Sequence, residues 1–285
     1  MRKLVQVSLA LLLIGVAGVV AFQLLCPRER EPAYQGKALR VWLQEWFFVV
    51  GRDEQVMQTR ERAEDAVRHI GTNAIPTLLE MLRKQDSPTL IKMSDLWMRY
   101  VHTNRRVRAW AGPWLMPAWF KNQALYVGAE GALGFKMLGP DAWPAVPALT
   151  ELCEHYNSTN PLRNPDHQMG VLHALIWIGP AATPSFLRWA ASSNLADRKC
   201  GVIGLGTVRP ESSVAVPLLS TSLSDTNPDI RWMAAASLGN YGSEARQAVP
   251  ALVQLLHDPS GVVRCSTTEA LKKIDPEAAT KAGVQ

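Results

Sequence analysis

The sequence predicts an all-α protein in which helix pairs stack as an α-α superhelix behind one N-terminal transmembrane helix. Three observations support this fold class. A small residue followed by a large apolar one returns at 204, 237 and 270, a period of 33 residues. Within each unit a first apolar helix ends near a Gly, and a Pro opens a second helix. Pro suits the first position of a helix, where its missing N–H costs nothing. Residues 4–25 carry no charge. A period near 33 is typical of solenoids, whose units bury their apolar faces only against one another.

Residues 1–26 are predicted to be a transmembrane signal-anchor. A short basic head precedes the apolar run 4–25. At ~1.5 Å per residue this run reaches about 33 Å, enough to cross the bilayer core. A cleaved signal peptide is the first alternative, although its apolar region is usually about 7–15 residues long. Lipidation of Cys26 is the second, although Leu25 is larger than the small residue expected before a lipidated Cys.

The orientation follows from the charges around the span. The basic N-terminus favours the cytoplasmic side, which makes the chain a single-pass membrane protein with its bulk on the periplasmic or extracytoplasmic side. Four bases follow the span and weaken this prediction: Arg28, Arg30, Lys37 and Arg40. A solenoid on the cytoplasmic side, or a cleaved and secreted chain, therefore stays open.

A charged, Pro-bounded linker is expected at 27–35, followed by a helix at 36–53 that caps the open end of the solenoid. Leu39, Trp42, Leu43 and Trp46 recur at helical spacing. We expect both Trp side chains in the core.

The solenoid is predicted to occupy 54–285, with an insertion at 87–123. Each unit aligns on a small residue, a large apolar residue directly after it and a second apolar residue four positions after the small one. A Gly one position further ends four of the first helices, and an αL conformation is expected there. Pro follows the small residue by 10 or 13 positions, which implies two lengths of turn. The small residues are Ala66, Gly134, Ala174, Gly204, Ser237 and Ala270.

A charged pattern also repeats. An Arg stands six residues before the small residue in four units, at Arg60, Arg198, Arg231 and Arg264. An acid stands six residues earlier still in some of them, as at Asp225 and Asp258. We expect each acid to pair with the Arg that follows it, which forms a structural ladder between repeats. Such pairs, if exposed, add only about 0–1 kcal/mol each, so the ladder is interpreted as setting geometry.

The insertion at 87–123 is the candidate partner-binding segment. The stretch from 83 to 121 has a net charge of +6, whereas the whole chain is +5, and it holds four of the ten Trp. Two prolines, Pro113 and Pro117, interrupt any helix there. Loops on a rigid scaffold often carry function. The candidate residues are Trp97, Arg99, Arg105, Arg106, Arg108, Trp110, Trp114 and Trp119.

The turn pattern, the Pro-initiated second helix and the Asp258 to Arg264 step together resemble HEAT repeats, and most closely the short bacterial units named after phycobilisome lyase. The resemblance covers roughly 54–285 outside the insertion. It implies a HEAT/ARM-like superhelix of the kind that mostly binds other proteins. Some similar proteins are bilin lyases, and related folds include DNA glycosylases, but the resemblance lends no catalytic residue.

The leading hypothesis is therefore a membrane-anchored scaffold that binds an unidentified protein partner through its concave surface, through the insertion, or through both. A module that binds the membrane surface and a lyase-like or other HEAT-fold enzyme are the alternatives. The six His do not cluster, and no phosphate loop or nucleophile elbow is present. We expect no enzyme, no cofactor, no metal and no nucleic-acid partner.

Overall fold

The computed structural model describes residues 31–49, 51, 53–84, 123–159 and 165–284. The predicted transmembrane segment and nearly all of the predicted insertion lie outside these residues. The described part of the chain is almost entirely helical, which confirms the all-α solenoid.

A short hairpin and one helix come first. Strands β1 (Ala33–Tyr34) and β2 (Lys37–Ala38) pair antiparallel and lead into helix α1 (Leu39–Phe48). The prediction of a helix over 36–53 was thus too long at both ends, and the hairpin was not predicted. Trp42 is buried as expected, whereas Trp46 is only half-buried and donates its indole N–H to Glu64.

Helix pairs follow. The first helices are α2 (Glu54–Ile70), α4 (Gln123–Leu138), α6 (Pro165–Ile178), α8 (Leu195–Val208), α10 (Pro228–Tyr241) and α12 (Gly261–Ile274). The second helices are α3 (Ile75–Arg83), α5 (Val146–Thr159), α7 (Thr183–Ala190), α9 (Ser212–Ser222), α11 (Val249–Leu255) and α13 (Pro276–Lys281). Although residues 85–122 separate α3 from α4 in sequence, α4 packs directly on α3, so the stack continues across this gap.

The two Pro spacings correspond to two turn lengths, as predicted. Where Pro follows the small residue by 10, the 3-10 turn has four residues, at Gly71–Ala74 and Gly179–Ala182. Where the spacing is 13, the turn has seven residues, at Gly139–Ala145 and Gly242–Ala248. Pro217 is the exception: it lies inside α9, which begins at Ser212, and does not open the helix as predicted.

The glycines that end the first helices have positive φ, but the expected αL conformation needs a correction. At Gly71 and Gly242 the φ values are 60° and 55°, while ψ is −142° and −135°. This region is essentially restricted to Gly, so these positions select Gly more strictly than αL would. Two units lack this Gly: one has Arg209 in true αL, with φ 51° and ψ 62°, and the other has Asp275 in an extended conformation.

The first helices of the last three repeats pack closely through small residues. A Cβ on Gly206 of α8 would lie 2.1 Å from Ser237 Oγ of α10. A Cβ on Gly239 of α10 would lie 3.2 Å from Ala270 Cα of α12. The second helices of these repeats contact one another much less. Because closer packing belongs on the inner side of a curved stack, α8, α10 and α12 line the concave side.

One continuous core runs through the described repeats. It includes Gln168–Ala190, the one stretch in the described part of the chain that is long and apolar enough to cross a membrane. This stretch contains a 3-10 turn, and 44% of its apolar window is buried inside the fold. Phe186 and Trp189 are among its fully buried side chains. We interpret it as part of the core of the solenoid.

Replacing Gly201 by Ala tests the close packing of α7 and α8. The added Cβ would meet the Ala190 backbone nitrogen at 2.2 Å and the Phe186 carbonyl oxygen at 2.7 Å. Backbone atoms cannot move aside cheaply, so we expect a loss of about 1–3 kcal/mol in the free energy of unfolding, measured by urea denaturation. Gly170→Ala is the matched control. Its Cβ meets nothing closer than 3.7 Å, so better helix propensity should stabilise the protein by up to about 1 kcal/mol. Equal effects of the two changes would contradict the packing described.

Candidate functional site

The predicted charged ladder forms a clamp between successive inter-repeat turns. Nε and Nη2 of Arg231 donate to both carboxylate oxygens of Asp258 at 2.8 and 3.0 Å. Nη1 of the same guanidinium donates to the carbonyl oxygens of Asp225 and Thr226 at 2.9 and 3.2 Å. One side chain thus joins the turn before its own helix to the turn of the next repeat. We call this arrangement the turn clamp.

Arg198 makes the same contacts one repeat earlier. Its Nε and Nη2 donate to the Asp225 carboxylate at 2.8 and 3.4 Å. Its Nη1 donates to the carbonyl oxygens of Ser192 and Ser193 at 3.2 and 2.8 Å. The clamp therefore repeats with the 33-residue period of the sequence.

The observed pairing differs from the predicted one. Arg198 and Arg231 each bind the carboxylate 27 residues later. Asp225, the acid six residues before Arg231, supplies only its backbone carbonyl to that Arg, and the residue six positions before Arg198 is Ser192, which does the same. Arg264 donates to the carbonyl oxygens of Asp258 and Pro259, as Arg231 does to those of Asp225 and Thr226. Arg60 is placed differently again, because it donates to the Val49 carbonyl and lies over the Trp46 ring at 4.8 Å.

The clamp carboxylates also order the chain entering the next helix. Asp258 Oδ1 accepts the Ser260 amide N–H and Asp225 Oδ1 accepts the Asn227 amide N–H, each at 2.8 Å. The Arg231 hydrogen bond lowers the pKa of Asp258 despite its burial. Burial raises the pKa of Asp225, but the Asn227 amide and Arg198 outweigh this, so its pKa also lies below the usual value. Both acids are therefore charged at neutral pH.

Asp258→Ala should destabilise the protein by about 2–4 kcal/mol at pH 7, because the Asp258 side chain is only 4% exposed and its loss leaves Arg231 without its carboxylate. Glu45→Ala, which breaks the exposed pair with Lys37, is the control and should cost about 0–1 kcal/mol.

The stability difference between wild type and Asp258→Ala should also depend on pH. Because folding lowers the pKa of Asp258, its contribution is complete above the unfolded value of about 3.9 and is lost as the pH falls through the folded value. Urea denaturation at several pH values from 7 to about 2.5 checks this. A difference that stays constant down to the lowest pH would show that the carboxylate charge does not stabilise the fold.

A row of side chains on the first helices faces solvent on the concave side. Aligned positions on four helices, spaced i, i+4 and i+8, are all exposed or half-buried. We call this surface the first-helix face. It consists of Met169, His173, Trp177, Lys199, Ile203, Thr207, Trp232, Ala236, Asn240, Cys265, Glu269 and Lys273.

The part of this face on α6, α8 and α10 is rich in apolar and aromatic side chains. Met169 is 38% exposed, while Trp177, Ile203 and Trp232 are half-buried. The His173 and Trp177 rings lie side by side with centroids 5.5 Å apart. Trp and Met are enriched at the centres of protein interfaces, where large side chains are only partly covered before the partner binds.

The Trp232 side chain lies beside a charged pair that joins two repeats. Lys199 Nζ on the neighbouring helix lies 2.7 Å from Asp229 Oδ2, and this contact lowers the pKa of that carboxyl group, with a smaller contribution from the Trp232 indole. Trp232 therefore combines a half-buried aromatic ring with a polar neighbour at the contact between α8 and α10. Nothing in the sequence marked Trp232 as a site residue, although the 33-residue alignment places it in the same row as Lys199.

The other predicted features are placed as follows. The eight candidate residues of the insertion, from Trp97 to Trp119, lie outside the described residues. Within the ranges that the structure does describe, no group of three or more His, Cys, Asp or Glu is arranged to hold a metal ion.

The comparisons with known proteins support the repeat architecture. The model of a family described as HEAT repeats matches residues 192–272, which run from just before α8 into α12. Residues 192–272 are therefore similar to HEAT repeats, and the described part of the chain is, as a class, a helical-repeat structure. No curated protein matches it.

Two solved structures are similar over most of their length. An engineered protein is 15% identical, with 86% of this chain and 97% of that chain covered and a TM-score of 0.41. Human deoxyhypusine hydroxylase in complex with glycerol is 17% identical, with 84% and 96% covered and a TM-score of 0.33. At these TM-scores neither likeness bears on the function of this chain.

Proposed function

We propose that this chain is a membrane-anchored HEAT-repeat scaffold that binds a protein partner on the first-helix face, with no catalytic role of its own. The observation that carries the proposal is the partly exposed apolar and aromatic surface on α6, α8 and α10, which includes Trp177 and Trp232. HEAT repeats commonly serve as protein-binding scaffolds, which supports a binding role.

The composition of the face also favours a protein partner. Lys199 and His173 lie among its apolar side chains, and Glu269 and Lys273 lie on the neighbouring helix α12. Charges of both signs therefore accompany the apolar side chains, as in protein interfaces, which combine apolar and polar groups. A nucleic-acid partner would instead require a continuous basic surface.

The membrane part of the proposal rests on the uncharged run 4–25 and its basic head. With the N-terminus in the cytoplasm, the solenoid lies on the periplasmic or extracytoplasmic side. The Trp- and Arg-rich insertion, from Trp97 to Trp119, is proposed as a second contact for the same partner. The chain leaves the described solenoid after Lys84 and returns at Gln123, between two repeats that pack on each other.

Trp232→Ala should weaken partner binding by about 30-fold or more, because a Trp at the centre of an interface typically contributes at least about 2 kcal/mol. The partner is first identified by placing a photo-crosslinking residue at Ala236 of the first-helix face, in the full-length chain in its native cell. Affinity for the purified partner is then measured by calorimetry.

Val214 on α9 provides the matched control, because it is 48% exposed but lies on a second helix. A crosslinker at 214 should not capture the same partner, and Val214→Ala should leave the affinity unchanged. Equal crosslinking from 214 and 236, or unchanged affinity of Trp232→Ala, would contradict the proposed face. A variant that lacks residues 88–119 separates the contribution of the insertion in the same measurement.

Cys265 reports the side of the membrane on which the solenoid lies. It is exposed, whereas Cys153 and Cys200 are buried. In a Cys26→Ser background, a membrane-impermeant maleimide added to intact cells should label the protein, and Cys265→Ser should abolish the labelling. The protein should also sediment with membranes. Labelling only after lysis would place the solenoid in the cytoplasm, and a soluble labelled chain would indicate cleavage and secretion.

A further inference from the structure

Two buried cysteines from different repeats meet inside the solenoid. Cys153 lies on α5 and Cys200 on α8, and both side chains are free thiols almost without solvent exposure. The two side chains interact, although they are far apart in sequence and belong to helices separated by the α6–α7 pair. Gln168 on α6 lies between them, because its amide donates both to Cys200 Sγ and to Asn157, one turn after Cys153.

A set of hydrogen bonds joins α5 and α8 close to the two cysteines. Asn157, one turn after Cys153, donates its amide N–H to Asp197 Oδ1 at 2.5 Å. Asp197 stands three residues before Cys200, so this bond aligns the two cysteines across the helix contact. Gln168 Nε2 on α6 donates to Asn157 Oδ1 at 2.5 Å and to Cys200 Sγ at 3.5 Å.

The two thiols have different acidities. The neighbouring Cys153 thiol, followed by Gln168 and Asn157, stabilises a charged Cys200 sulfur and lowers the pKa of Cys200. The interaction with Cys200, together with burial, raises the pKa of Cys153 well above the ordinary value. The N–H that Gln168 donates to Cys200 Sγ favours the charged form of this sulfur, and the thiolate is the form that attacks a disulfide.

We propose that Cys153 and Cys200 form a reversible disulfide that links the α5 and α8 repeats, with a low-molecular-weight disulfide as the oxidant. The Cys200 thiolate attacks one sulfur of the oxidant, breaks its S–S bond and releases one thiolate, which takes up a proton. Cys153 then loses its proton to solvent and attacks the Cys200 sulfur of the mixed disulfide, which releases the second thiol. The protein loses two hydrogens and two electrons, and the oxidant gains them.

The burial of the pair determines when the bond forms. Because neither sulfur is exposed, exchange takes place during folding or through local opening of α5 from α8. Once formed, the bond closes the loop from 153 to 200 and resists reduction while the repeats stay packed. The inference rests on the described helices alone, and it holds whether or not the first-helix face binds a partner.

The test uses the full-length chain in detergent with Cys26→Ser and Cys265→Ser, so that only the pair remains. The folded protein is incubated in a glutathione redox buffer with sub-denaturing urea, then denatured and alkylated. Neither cysteine should be alkylated, and peptide mapping should join 153 to 200. The melting temperature should rise by about 5–10 °C and return to the starting value after dithiothreitol treatment.

Cys153→Ser in the same background is the matched control, because it keeps the volume and polarity of the thiol. Its remaining cysteine should be alkylated, and its melting temperature should not respond to dithiothreitol. Alkylation of both cysteines after oxidation would overturn the proposal. A bond that forms only between chains, or one that lowers the melting temperature, would also overturn it, because the native packing would then not accommodate the link.

Discussion

The stack depends on the close contact of the first helices, since no helix pair can bury its apolar face alone. Gly206 against Ser237, and Gly239 against Ala270, bring these helices together with little side-chain volume between them. Ser237 then donates its hydroxyl to a backbone carbonyl oxygen of α8, that of Val202, at 3.1 Å. The Ser237 hydroxyl is therefore hydrogen-bonded although the residue is buried at this contact.

Tyr241, at the end of α10, also has a buried hydroxyl that is hydrogen-bonded to the neighbouring helix. Its hydroxyl donates to the Leu205 carbonyl oxygen at 3.0 Å, and burial raises its pKa to about 12. The turn clamp complements these contacts at the opposite end of the first helices. There the guanidinium of Arg231 joins consecutive turns through one carboxylate and two carbonyl oxygens. Small residues set the distance between repeats, and the clamp sets their relative rotation.

This arrangement leaves the first-helix face free for recognition. The residues that hold the stack are small or buried, whereas the positions one or two residues away project into solvent. Trp232 follows the clamp residue Arg231 directly and still projects onto the face. Asp229, one turn earlier, pairs with Lys199, so this part of the face contains an ion pair between two successive helices. The scaffold and the candidate site are therefore built from neighbouring positions of the same helices.

The 33-residue pattern by itself determined the helix pairs, the two turn lengths and the glycines with positive φ, because these features depend on residues close together in the chain. Only the tertiary structure decided which carboxylate each Arg binds, since acids six residues before and 27 residues after are both compatible with the spacing. The same holds for the Lys199–Asp229 pair beside Trp232 and for the Cys153–Cys200 contact. Each of them needs side chains from different repeats, and the distances between repeats follow from packing, which local sequence does not encode.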